Sequence, residues 1–309
     1  MTIGPYRPKE SKAGRGAVLV LTALVLASCA GSGRSHGGDR PSGALRTPLP
    51  VETDLIPAPV ETRFVVIGDF GTGRTTQHRV GETMCSWRVT HPFDLVVTTG
   101  DNIYPDGDPS RFQNRFKEPF ACLLERGVRF RSSLGNHDIV TDNGRGEIAD
   151  PAFGMRARNY VVRQGGVRFV IFDSNRLNMS WLRRALRSRD GDRWTVAVFH
   201  HPVFSPGTGH SSTPGFRPAL PRLFRRRGVD LVLNGHDHVY AVSEPLRRIR
   251  YVVTGGGGGR LYGCDPRWFT DVCVARHHFL DVVASRDEIV VTAVAQDGRV
   301  FDRFRTTGR

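Results

Sequence analysis

DLVVTTGDNIY, residues 94–104, reads as an apolar strand running into a short polar turn. The strand half, DLVVTT (94–99), is rich in β-branched side chains, and the turn GDNIY (100–104) opens on glycine. Two acidic oxygen donors stand in that turn, Asp101 and Tyr104. A carboxylate offers about four lone-pair sites, so Asp101 can bridge a pair of cations. A phenol, with a reference pKa of about 10, becomes a good ligand near neutral pH only beside a cation that strips its proton. A hard trivalent ion does this best, so Tyr104 points to an iron(III)-type site.

One turn cannot fill a coordination sphere, and the chain supplies four more of the same build. They are GDFG (68–71), GNHD (135–138), FHHP (199–202) and GHDH (235–238), each behind a short apolar run: FVVI (64–67), RFRSSL (129–134), WTVAV (194–198) and LVLN (231–234). Polar turns at the carboxyl ends of strands are where α/β sheets gather ligands. The expected centre is dinuclear, two cations roughly 3.5 Å apart sharing Asp101. Asp69, Asp101, Tyr104 and His238 make the harder site; Asp101, Asn136, His200 and His236 make the softer one. Mixed nitrogen and oxygen donors suit Fe(III) beside Fe(II), Zn(II) or Mn(II), and not a thiolate site.

The 309 residues, 39% hydrophobic, suffice for one sizeable core. A formal net charge of +14 comes from 44 Lys+Arg, nearly all of them Arg. No basic run is interleaved with aromatics, so nucleic acid is not expected as a partner. Residues 1–29 combine early basic residues, the apolar AVLVLTALVL (17–26) and small residues before Cys29. That stretch is too short to span a bilayer, which takes about 20 residues, and it fits an export signal. LASC (26–29) resembles the bacterial lipoprotein cleavage box, which makes Cys29 a lipidated first residue and places the protein in the cell envelope, anchored to the outer face of the membrane. An ordinary signal peptide with an incidental Cys29 is the alternative. Residues 30–60, rich in Gly, Ser and Pro, read as a tether, and 61–309 as the folded domain.

Four cysteines remain, an even number for an oxidising compartment, and three pairings are open to them. The short spacing favours Cys264 with Cys273 and leaves Cys85 with Cys122; buried free thiols are the alternative. GTGRTT (71–76) lacks the Gly-Lys-Ser/Thr of a phosphate-cradling loop and reads as a turn into a helix reaching toward Arg88. SRFQNRFKEPFACLL (110–124) spaces Phe112, Phe116, Phe120 and Leu123 as one amphipathic helix. Further helices are expected over 179–190 and 218–228, and a hairpin over 158–173. Asp173, at a strand end, is expected to be structural, as are His277 and His278. The tail from residue 248 reads as all-β, and Gly255 to Gly259 as a loop passing close beneath the site.

These motifs, in this order and spacing, resemble the purple acid phosphatases of the calcineurin-like metallophosphoesterases, in particular the small, single-domain, mammalian-type branch, over about residues 63–305. The resemblance implies a four-layer α-β-β-α sandwich, two mixed sheets flanked by helices, and agrees with the ligand set above. It implies a hydrolase for small phosphate monoesters in which a metal-bound hydroxide attacks directly. His137 is the expected proton donor to the leaving group, with His201 and His210 positioning the phosphate. Two departures stand out: Ala197 where the family commonly has Val, and a loop to His210 one residue longer. A phosphodiesterase acting on nucleotides or lipids through the same centre is the alternative, and a non-catalytic metal- or phosphate-binding lipoprotein is a more distant one.

Overall fold

Strand β1 (Glu61–Ile67) is buried on both faces from Phe64 onward, and so is β2 (Leu95–Thr98) along its whole length. Such strands need cover above and below, which is why they read as unbroken apolar runs. Side chains alternate between the two covers: Phe64, Val66, Leu95 and Val97 enter one apolar cluster, Val65, Ile67 and Val96 another. The computed structural model describes residues 61–187 and 191–308. The leader 1–29 with its Cys29 and the tether 30–60 lie outside the described residues.

The remaining strands are β3 (Arg129–Ser132), β4 (Tyr160–Gln164), β5 (Val167–Ile171), β6 (Trp194–Val198), β7 (Leu231–Asn234), β8 (Tyr240–Ser243), β9 (Arg250–Thr254), β10 (Thr270–Val274), β11 (His278–Ser285), β12 (Glu288–Ala295) and β13 (Val300–Thr307). They form a six-stranded sheet ordered β13-β12-β11-β1-β2-β3 and a seven-stranded sheet ordered β10-β8-β9-β7-β6-β5-β4. Both sheets are mixed. Their facing surfaces share one core that includes Phe64, Phe169, Trp194, Leu231 and Leu280.

Helices α1 (Thr75–Thr90) and α2 (Ala121–Glu125) cover the first sheet with Val80, Met84 and Leu123. Following the short α3 (Arg145–Ala149), helices α4 (Met179–Ala185) and α5 (Phe216–Arg227) cover the second sheet with Leu182, Leu220 and Phe224. The result is the expected four-layer α/β sandwich, each fully buried large apolar side chain contributing about 1.5–3 kcal/mol. The two disulfides pair as favoured, Cys85–Cys122 between α1 and α2 and Cys264–Cys273 in the late β region.

Two elements differ from expectation. The stretch 110–124 is not a single helix: it breaks into a 3-10 turn (Pro109–Arg111), a π-turn (Gln113–Lys117) and α2. Pro119 causes the break, since it has no N–H to give to the carbonyl of Arg115. That carbonyl accepts instead from Gln77 Nε2 at 2.6 Å. The Glu118 N–H reaches back five residues to Gln113 O at 2.9 Å. The apolar face survives, with Phe112, Phe116, Phe120 and Leu123 all buried. Helix α4 is also shorter than the span 179–190, ending at Ala185. Strands β8 and β10 had no marker in the apolar pattern; β10 is an edge strand and only half-buried.

Strands β1, β2 and β3 run parallel in one sheet, and β5, β6, β7 and β9 run parallel in the other. The five motif turns follow β1, β2, β3, β6 and β7, and all leave the carboxyl ends of these strands. Their convergence is a consequence of the topology.

Candidate metal centre

Asp101 sits at the centre, almost fully buried. Its Oδ1 accepts from the His137 backbone N–H at 3.0 Å and lies 3.4 Å from His200 Nε2. Among the described residues, Asp69, Asp101 and His238 bring ligand atoms within 4.8 Å of one another. Tyr104 Oη lies 2.9 Å from His238 Nε2 and 3.4 Å from Asp69 Oδ1. On the far side His200 Nε2 lies 3.0 Å from Asn136 Oδ1 and 3.2 Å from His236 Nδ1. All seven expected ligands therefore share one cleft.

Backbone carbonyls orient the imidazoles. His200 Nδ1 donates to Thr99 O at 2.9 Å, His238 Nδ1 to Arg260 O at 2.7 Å, and His137 Nδ1 to Pro105 O at 2.6 Å. An imidazole that is neutral and donates through Nδ1 has a bare lone pair at Nε2. His200 Nε2 thus faces the Asn136 amide oxygen and the Asp101 carboxylate, acceptor against acceptors. Buried acceptors are not left facing one another without a positive charge between them, so the residues present fit a cation. Carbonyl-anchored histidines are how proteins aim metal ligands.

Protonation without a cation supports the same conclusion. Burial pushes the Asp69 carboxyl up to about 7, against its hydrogen bond to His238. Burial, reinforced by Asp101 and Asp69, pushes the Tyr104 phenol well above its ordinary 10. Burial lowers His200 well below 6.5, and His236 is lowered by burial and by the neighbouring imidazoles. His238 goes the other way: burial would lower it, but the hydrogen bond and charge of Asp69 outweigh that and raise it.

Three site residues hold the left-handed backbone conformation: Asp69 at φ 57°, Asp101 at φ 52° and His236 at φ 72°. Such positions cost about 1–3 kcal/mol each and cluster at functional sites. Contacts between the turns hold them: Asp69 N donates to Gly100 O at 3.0 Å, and His236 N to both Asp69 oxygens at 3.0 Å. Gly255 to Gly259 pass directly beneath. A Cβ on Gly259 would come within 2.6 Å of the His238 ring, and one on Gly255 within 2.1 Å of Asp237 O.

The residues expected to handle phosphate line the mouth. His137 is half-buried, with Nε2 4.0 Å from Asp101 Oδ2. The His201 ring stands 4.5 Å from that of His236, and its Nδ1 lies 2.8 Å from Ser174 Oγ. His210 stacks on His236 at 4.0 Å, its backbone N–H held by Asp237 Oδ1 at 2.7 Å. Asp173 is structural as expected, binding Arg158 at 2.6 Å and the Asn175 N–H at 2.8 Å. His278 is buried against Thr254 Oγ1 at 3.0 Å, and the His277 ring meets Gly256 O at 3.2 Å.

Sequence reasoning missed several supports. Asn102 donates to Ser133 O, Asp138 and Glu147 at 2.8–3.0 Å, and Asp138 accepts from the Gly135 and Ile103 N–H groups. Burial raises both acids, Asp138 to about 7 and Glu147 well above 4.5. This buried network locks GDNIY to GNHD. Asp237, inside GHDH, ties the His210 loop down. Tyr262 stacks flat on His238, with centroids 4.4 Å apart and planes at 7°. Asn102, Asp138 and Asp237 stood inside quoted motifs; Glu147, Ser174 and Tyr262 carried no signal.

Residues 62–240 match the model of the calcineurin-like phosphoesterase family. Purple acid phosphatase 17 of Arabidopsis thaliana is 27% identical over 235 residues, covering 63% of this chain and 68% of the relative. Tartrate-resistant acid phosphatase type 5 of Mus musculus is 24% identical over 243 residues, covering 65% and 74%. Among solved structures, the anchor in the inner membrane complex of Plasmodium superposes with a TM-score of 0.70 at 16% identity, over 81% of this chain and 90% of that one. A purple acid phosphatase from yellow lupin (Lupinus luteus) seeds gives 0.67 at 17% identity, over 80% and 54%. At these identities the superpositions speak for the fold alone.

Proposed function

This chain belongs to the calcineurin-like phosphoesterases, and from that premise we propose that it is an exported, membrane-tethered phosphatase that hydrolyses small phosphate monoesters at a dinuclear metal centre. The observation that carries the proposal is the arrangement around Asp101, where donors from both sheets converge with acceptor atoms facing one another. Asp69, Asp101, Tyr104 and His238 would hold one cation, and Asp101, Asn136, His200 and His236 the other. Mixed oxygen and nitrogen donors fit Fe(III) beside Fe(II), Zn(II) or Mn(II). Such a pair, when bound, lowers the pKa of water and screens the charge on phosphoryl oxygens.

The chain's own residues do the rest. His201 and His210 each pack a ring against His236 and would offer ring nitrogens to the phosphoryl oxygens of a monoester. His137 donates through Nδ1 to Pro105 O, which leaves Nε2 to carry a proton to the leaving-group oxygen. A half-buried imidazole within reach of both cleft and solvent suits that task. With hydroxide supplied at the metal centre no protein nucleophile is required, so no covalent phosphoenzyme is expected. Export and tethering rest on the leader, on LASC ending at Cys29 and on the Gly/Ser/Pro-rich segment 30–60.

Metal analysis, a visible spectrum and paired assays with para-nitrophenyl phosphate and its bis ester test the proposal. The expected outcome is two metals per chain, a violet band, and faster hydrolysis of the monoester. Faster cleavage of the bis ester would favour a diesterase; two metals without turnover would leave only a binding protein.

A further inference from the structure

Among the described residues, Tyr262 is an aromatic side chain beside the site with no task in the reaction proposed above. Its ring lies flat on His238 and meets His210 edge-on, with centroids 5.5 Å apart and planes at 74°. It therefore spans the gap between an expected metal ligand and an expected phosphate-positioning residue. Glycine is required at 209, because a Cβ there would come within 2.1 Å of the Tyr262 ring. With His238 stacked on one face and Gly209 close against the ring, the ring is held by the protein's own residues.

The phenol differs from the ring. Tyr262 is only half-buried, and no hydrogen bond from its hydroxyl is found among the described residues. A phenol O–H without a partner, on a ring that touches both His238 and His210, is a donor next to the site.

The backbone that carries it is fixed on every side. Tyr262 N donates to His238 O at 3.1 Å, Thr208 N to Gly263 O at 3.0 Å, and Gly263 N to Thr208 Oγ1 at 3.0 Å. Gly207 and Cys264 form an antiparallel bridge, and Cys264 is joined to Cys273 on β10. A hydroxyl so placed needs little ordering to bind a ligand oxygen.

We propose that Tyr262 is a substrate-binding residue whose hydroxyl donates a hydrogen bond to a phosphoryl oxygen of the bound monoester. The proposal rests on the phosphatase reading, but phosphate affinity tests it separately from turnover. The experiment uses the full metal-loaded chain, with inorganic phosphate as probe in calorimetry and para-nitrophenyl phosphate in kinetics. Tyr262→Phe keeps the ring on His238 and removes only the donor. Its phosphate Kd and its KM should both rise on the order of tenfold, as for a lost hydrogen bond to a charged group, with kcat within about twofold and metal content unchanged.

Wild-type phosphate affinity in Tyr262→Phe, or loss of a metal from it, would overturn the proposal. Wild-type protein that binds phosphate without turnover would remove the phosphatase reading and leave the affinity ratio to decide the role of Tyr262. Wild-type protein that binds no phosphate would overturn both.

Discussion

On one side of Asp101 stand Asp69, Tyr104 and His238; on the other stand Asn136, His200 and His236. The first set holds acidic protons that burial has made hard to lose, with Asp69 pushed up to about 7 and Tyr104 well above 10. The second set is neutral already, His200 and His236 being held below 6.5 by burial and by neighbouring imidazoles. Filling the first half therefore costs proton release, and filling the second does not. A highly charged cation displaces such protons best, so on the proposed assignment the two halves would favour different ions across a shared carboxylate.

The largest test of this asymmetry is the residue that belongs to both halves. Asp101→Ala should lose both metals and at least about 10³ in kcat/KM, whereas Asn136→Ala should lose one metal by metal analysis. Retention of both metals in Asp101→Ala would remove the bridge. Next comes Tyr104→Phe, expected to abolish the visible band and cost about 10–100-fold in activity; His236→Ala should keep the band. A band that survives Tyr104→Phe puts that phenol outside the centre.

The third prediction concerns pH. In the folded, metal-free protein Asp69 is raised from 3.8 to about 7. Its contribution to stability is fully present below 3.8 and is lost as pH rises through 7. A cation relieves that loss by taking the place of the proton. Calorimetry in buffers of different ionisation enthalpy should therefore show more protons released on metal loading at pH 6 than at pH 8, and Asp69→Asn should narrow the gap. Equal release at the two pH values would contradict the assignment. His200 and His236 act oppositely, since their lowered pKa values cost stability as pH falls below about 6.5.

The smallest effects separate the disulfides. Loop-closure entropy gives about 4 kcal/mol for Cys85–Cys122 and about 2.5 kcal/mol for Cys264–Cys273, whose separations are 37 and 9 residues. Replacing both cysteines of a pair by alanine should lower Tm more for the first. Only the second should raise KM, because it pins the wall against His238. A rise in KM confined to the Cys85–Cys122 variant would break the link between that wall and the first half.

Most of this site could be read before any fold was known, because each proposed ligand sits in a turn just after an apolar strand. Strand and turn are local signals, and parallel strands bring their ends together without further instruction. What stayed hidden depends on contacts between distant segments. Glu147 looks like any surface glutamate until the fold buries it against Asp138 and Asn102. Tyr262 has no periodicity to betray it, and Ser174 is one serine among many. The stretch 110–124 departs from a single helix for another reason: its apolar spacing survives in the fold, but Pro119 denies the backbone the bond that spacing implies.

Gly255 to Gly259 give the centre a dependence of an unusual kind. They carry no side chain, yet each lies where a single methyl would strike Asp237, His278, Phe70, Gln77 or His238. A mutational scan scored on turnover alone would place several of them beside the metal ligands in intolerance, and metal analysis of the alanine variants would show why: what they contribute is room.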